Sequence, residues 1–187
     1  MKQIVVILMV IILPFAVTSC NEKSKKTTKQ KKSTYLKQVI KSNSLYSSVN
    51  WISLEELELK MKDKPRKVIF LFTKKGCPYC KEMKETTLID SDVVKMINDE
   101  YYAVMLDGKT KEPITFKGFT YVNDASIEED PKSTWRHNLF ADLVDPYNGG
   151  YYWPSTVILD ENLNKIKSFP GLQKPAQFKR LLLNYMK

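Results

Sequence analysis

The stretch VIFLFTKKGCPYCKEM, Val68 to Met83, joins two different patterns end to end. Val68-Ile69-Phe70-Leu71-Phe72 is an unbroken apolar run rich in β-formers, the signature of a short strand buried on both faces of a sheet. Cys77 and Cys80 follow directly, with Pro78 between them at the helix start, where its missing N–H costs nothing. Free N–H groups and the helix dipole stabilise negative charge at such a junction. Cys77 is therefore expected to be the thiol that ionises readily and stands exposed, with Lys74 and Lys75 acting in the same direction. Cys80, one turn deeper, is placed to attack a disulfide that Cys77 forms with another molecule.

The same cysteine spacing serves redox exchange, zinc binding or a static disulfide in different compartments, so the N-terminus bears on the choice. Lys2, the apolar run Ile4 to Leu13, and small and polar residues up to Cys20 follow the plan of a secretory signal peptide. That apolar core falls short of the roughly twenty residues that span a bilayer as a helix, and Pro14 would break a helix there. Val17-Thr18-Ser19-Cys20 resembles the bacterial lipobox, which implies cleavage before Cys20 and lipid on that cysteine. An ordinary signal peptide with Cys20 as a leftover thiol, or an uncleaved anchor, is the alternative. In each case the chain is expected to be exported.

Net charge is +9, and it is unevenly placed. Residues 21–41 carry eight lysines against Glu22 alone, so the rest of the chain is close to neutral. A Lys/Ser/Thr/Gln segment without apolar residues until Tyr35 cannot offset its ordering entropy by burial. The expected organisation is a signal peptide at 1–19, a lipid-anchored, Lys-rich disordered tether at 20–44, and one domain at 45–187. The tether lysines suit anionic headgroups or plain solvation; an exported, near-neutral domain argues against nucleic acid.

Within that domain, Ser53 to Leu59 predicts a short helix with Ser53 as cap and Glu56 as capping-box partner. A helix from Cys80 to about Thr87 and a second one capped by Ser91 or Asp92 follow. Tyr101 to Leu106 is a strand, and 114–116 with 119–122 a hairpin around Lys117-Gly118. Ser133 or Thr134 starts a helix through Leu143, on which His137 is a surface or half-buried residue. Thr156 to Leu159 and Lys165 to Phe169 pair as strands, and Pro175 to Met186 closes the chain as a helix. This is an α/β order, long enough for a single core.

Gly76-Cys77-Pro78-Tyr79-Cys80 behind an apolar strand, with Trp153-Pro154-Ser155-Thr156 and a strand later, resembles the thioredoxin superfamily. Cys80-Lys81-Glu82-Met83 brings the chain closer to the thioredoxin-like domain of DsbD and related exported thiol:disulfide oxidoreductases. The resemblance covers about 65–107 and 152–187 and implies a thioredoxin-like fold, a central mixed sheet flanked by helices, with 108–150 as an insert before the cis-proline strand. It implies that Pro154 is cis and lies against the cysteine pair, that Cys77 attacks and Cys80 resolves, and that Pro78, Tyr79 and Trp153 border the substrate groove. Tyr147, Tyr151 and Tyr152 are read as packing residues. The family's buried acid six residues before the first cysteine is missing, since Leu71 stands there.

The function that follows is reduction or isomerisation of envelope-protein disulfides, with a membrane electron donor of the DsbD type and no cofactor. Pro78-Tyr79 is the dipeptide of glutaredoxins, which suggests a potential of about −190 to −260 mV. Four other readings remain. A static disulfide across so short a loop constrains the unfolded chain little. Zinc would need two more ligands, and His137 is the lone histidine. Cu(I) delivery would use Cys77, Cys80 and Met83; a non-catalytic partner-binding module would use the insert.

Overall fold

The structure, a computed structural model, describes residues 48–124 and 136–186. The expected signal peptide, Cys20 and the tether lie outside the described residues, as do Ser133, Thr134 and Trp135.

The apolar run forms strand β1, Lys67–Thr73, at the centre of a four-stranded sheet. It pairs in parallel with β2, Tyr101–Asp107, and antiparallel with β5, Ser155–Leu159, which in turn pairs antiparallel with β6, Lys165–Pro170. Alternation along β1 sends its side chains into two separate cores, as the period of two in a strand requires. Ile69 and Leu71 join Met83, Val93, Val94, Ile97, Phe178 and Leu182 on one face. Val68, Phe70 and Phe72 join Leu57, Phe116, Leu139 and Phe140 on the other. This double burial is why the sequence shows a continuous apolar run and no polar alternation.

Helix α1, Leu54–Asp63, is capped by Ser53, whose Oγ accepts from the Glu56 N–H at 3.1 Å. Helix α2, Pro78–Glu85, starts at Pro78 rather than Cys80, with a 3₁₀ turn at Thr87–Ile89 after it. Helix α3, Ser91–Glu100, is capped one residue before the expected position. Asp90 Oδ1 accepts from the N–H groups of Asp92 and Val93, each at 3.1 Å, so Ser91 and Asp92 are inside the helix. Lys179 bridges Asp90 and Asp92 from the closing helix α5, Pro175–Tyr185. Helices α2, α3 and α5 supply the core around Leu71.

The stretch between β2 and β5 holds the expected hairpin, β3 Ile114–Phe116 and β4 Phe119–Tyr121. Its two-residue loop places Lys117 at φ 55° and Gly118 at φ 76°, the mirror-image turn that matches strand twist. Helix α4 departs from expectation. It spans Asn138–Leu143, and Arg136 and His137 are not helical. His137 is extended and buried, and its Nδ1 accepts from the Leu139 N–H at 3.2 Å, making it the cap of the helix rather than a residue on its surface.

Candidate active site

Strand β1 ends at Thr73, and four residues carry the chain to the first turn of α2. Gly76 makes the bend with φ 69°, a conformation that residues with a Cβ rarely adopt. Cys77 then caps α2: the Cys80 N–H donates to its Sγ at 3.1 Å. The two cysteines form a disulfide with Cα atoms 5.2 Å apart. Exposure does not separate them as the sequence suggested, since Cys77 is 7% and Cys80 4% exposed. The difference lies in hydrogen bonding: Cys77 Sγ sits at the helix N-terminus and receives a backbone donor.

The Trp153–Pro154 peptide is cis. It immediately precedes β5, whose Ser155 pairs with Phe72, so it lies at the end of the sheet from which the cysteine loop departs. Lys74 Nζ stands 5.9 Å from the centre of the Trp153 ring. Trp153 is itself stacked on Phe140, with centroids 4.5 Å apart and planes 25° from parallel. Gly108 makes that stack possible. A Cβ there would lie 2.5 Å from Trp153 Cη2 and 2.9 Å from Phe140 Cδ2. Tyr151 packs on Phe140, whereas Tyr147 and Tyr152 are exposed and lean on each other, against the packing role expected of all three. Tyr79 is also exposed.

A groove of about 620 Å³ opens over the disulfide. Cys77, Pro78 and Cys80 line it together with Lys74, Lys75, Lys81, Lys84 and one acid, Glu85, which is 3.8 Å from Lys81. Trp153 and Tyr79 are not part of its wall. On the Trp153 side, Lys109 is pushed below the ordinary lysine value, first by burial and then by the charges of Lys74 and Arg136, with Asp107 opposing. Arg136 lies over the Tyr151 ring at 4.0 Å. Lys109 and Arg136 were not singled out by sequence reasoning, because only the fold brings residues so distant in the chain toward Lys74.

On β1, Leu71 is buried where the resemblance implies an acid. Its neighbours across the sheet are Met105 on β2 and Thr156 on β5. The Thr156 hydroxyl is buried without a hydrogen-bond partner among the described residues, a feature no sequence pattern announces. Met83, the third donor that copper would need, is fully buried in the core. Among the described residues no group of three or more His, Cys, Asp or Glu side chains is placed to hold a metal.

The geometry has parallels in known proteins. A family model for a thioredoxin-like domain matches residues 55–186. Among solved structures, a thioredoxin from Thermus thermophilus is 19% identical, with a TM-score of 0.49 over 73% of this chain and 86% of that one. The reduced C-terminal domain of DsbD from Neisseria meningitidis is 15% identical, with a TM-score of 0.42 over 72% and 97%. The exposed lipoprotein thioredoxin Etrx1 from Streptococcus pneumoniae is 16% identical, with a TM-score of 0.40 over 66% and 89%. At these values the three parallels carry nothing beyond likeness. Among curated proteins no sequence matches.

Proposed function

Because the chain belongs to the thioredoxin-like domain family, we propose that it is an exported thiol:disulfide oxidoreductase that reduces or isomerises disulfides of envelope proteins. The observation that carries this reading is the Cys77–Cys80 disulfide at the N-terminus of α2, with Cys77 Sγ accepting the Cys80 N–H and a groove open above it. In the reduced protein the Cys77 thiolate attacks one sulfur of a client disulfide, forming a mixed disulfide and expelling the other client sulfur as a thiolate. Cys80, deprotonated, then attacks Cys77 Sγ; the Cys77–Cys80 bond forms and the second client thiolate leaves. Two electrons pass to the client. A membrane dithiol donor of the DsbD kind restores the reduced pair.

Trp153 and the cis Pro154, at the end of the sheet from which the cysteine loop departs, form the rim along which the client backbone lies; Pro78 lines the groove at the helix start, and the exposed Tyr79 meets the client outside its wall. The signal-like N-terminus and the lipobox-like ending at Cys20 support membrane anchoring by lipid, with the domain facing the periplasm or outer surface. No helix among the described residues is long and apolar enough to cross a membrane.

Reduction of insulin in the presence of dithiothreitol tests the activity. Wild-type chain is expected to accelerate precipitation of the insulin B chain, and Cys77→Ser to return it to the uncatalysed rate. Equal rates for the two would leave the cysteines without a catalytic role.

A further inference from the structure

We infer that the groove over Cys77 selects client disulfides flanked by acidic polypeptide segments. The inference deepens the oxidoreductase reading and rests on it. Four lysines to one glutamate line the groove, although the described domain as a whole draws little of the chain's basic excess. The lysines come from two elements: Lys74 and Lys75 from the loop after β1, Lys81 and Lys84 from the outer surface of α2. Lys81 and Lys84 are three residues apart and so share one side of the helix.

Further cations extend the field beyond the groove on the Trp153 side. Lys74 is held against Trp153, and Arg136 against Tyr151, so that two cations are braced on aromatic rings along the client-facing rim. Lys74 and Arg136 both act on the charge of Lys109, which places each of them near it. Positive charge thus lines the groove over the reactive sulfur and continues toward Trp153, in a concave site where field lines are focused. Thiol stabilisation alone would need charge next to Cys77, and Lys74 and Lys75 suffice for that. Lys84, about two turns along α2 from Cys77, and Lys109 and Arg136, on the Trp153 side, go beyond that need and suit carboxylates that flank the client cysteine. A flat basic face would suit an anionic bilayer; a groove around a disulfide suits a chain that enters it.

The test uses the full chain, with dithiothreitol reducing Cys77–Cys80 after each turnover, and three probe peptides of equal length. Each carries one disulfide, flanked by glutamates, by serines or by lysines. The acidic peptide is expected to be reduced about tenfold faster than the basic one at low ionic strength, with the ratio approaching unity near 1 M salt. Lys81→Glu with Lys84→Glu is expected to reduce or invert the ratio. Both peptides meet the same Cys77, so any change in its nucleophilicity cancels. A ratio near one at low salt, with all three peptides turned over, would overturn the inference and leave the oxidoreductase reading standing. So would equal peptide rates combined with loss of turnover on vesicles containing phosphatidylglycerol, which would assign the lysines to a membrane surface. Failure to accelerate the reduction of any of the three peptides above the rate with dithiothreitol alone would overturn the oxidoreductase reading, and this inference with it.

Discussion

The backbone N–H of Cys80 donates to Sγ of Cys77 across 3.1 Å, and no equivalent donor reaches Cys80 Sγ among the described hydrogen bonds. The first sulfur therefore carries negative charge more comfortably than the second once the bond between them is opened. In the reduced protein near pH 7, Cys77 is expected to react with iodoacetamide at least about tenfold faster than Cys80. Peptide mapping after brief alkylation checks this. Label found first on Cys80 would reverse the assignment.

Gly108 is expected to be intolerant of alanine. The added methyl would sit 2.5 Å from the half-buried Trp153 ring and 2.9 Å from the fully buried ring of Phe140 on which it stacks. Overpacking of this kind costs about 1–3 kcal/mol. Urea unfolding of Gly108→Ala would show it as a lower midpoint, and Trp153 displacement as a change in tryptophan emission. An unchanged midpoint would mean that the ring stack yields freely.

His137 makes stability depend on pH. Burial pushes its imidazole below the ordinary value of 6.5, and the backbone of Glu112 and Tyr121 opposes this more weakly. A protonated ring would also lose the Nδ1 lone pair that caps α4. Above pH 6.5 neither folded nor unfolded chain is protonated there, and the contribution is complete. Below it the unfolded chain takes up a proton that the folded one resists, so stability falls with pH until the folded value is passed. Asp145, held below the ordinary 3.8 by its hydrogen bond to Lys165, titrates beneath this window. The urea midpoint is expected to drop between pH 7.5 and pH 5.5 in wild type and to stay level in His137→Asn, which keeps a capping oxygen. A slope retained in the variant would place the titrating group elsewhere.

Thr156→Val is expected to leave the oxidised protein as stable as wild type, or more stable by up to about 1 kcal/mol. It removes a buried hydroxyl with no partner and keeps the shape of the side chain. A loss greater than about 1 kcal/mol would show that the hydroxyl is hydrogen-bonded after all.

These features differ in how far the sequence discloses them, and the reasons are physical. β1 is legible because double burial leaves no polar position in Val68 to Phe72. The cysteine junction is legible because the apolar strand and Pro78 mark the change from strand to helix, although the helix begins at Pro78 and not at Cys80. Asp90, Ser91 and Asp92 are all competent caps, so composition does not choose among them; the carboxylate that reaches two N–H groups does. His137 is a rare capping residue, and Ser133 and Thr134 nearby carry the stronger signal, which moved the expected helix start toward them. Gly108 opens a stretch of weak local signals. Its real constraint comes from Phe140 and Trp153, 32 and 45 residues away, and pairings of that range leave no local mark. The cations around Trp153 are hidden for the same reason.

The division of labour between the cysteines is tested most directly by trapping. Full-length Cys80→Ser, reduced and then mixed with oxidised insulin, can carry out the first exchange and not the second. The account predicts a covalent adduct between an insulin chain and Cys77, dispersed by dithiothreitol, with none formed by Cys77→Ser. An adduct formed by Cys77→Ser alone would contradict it.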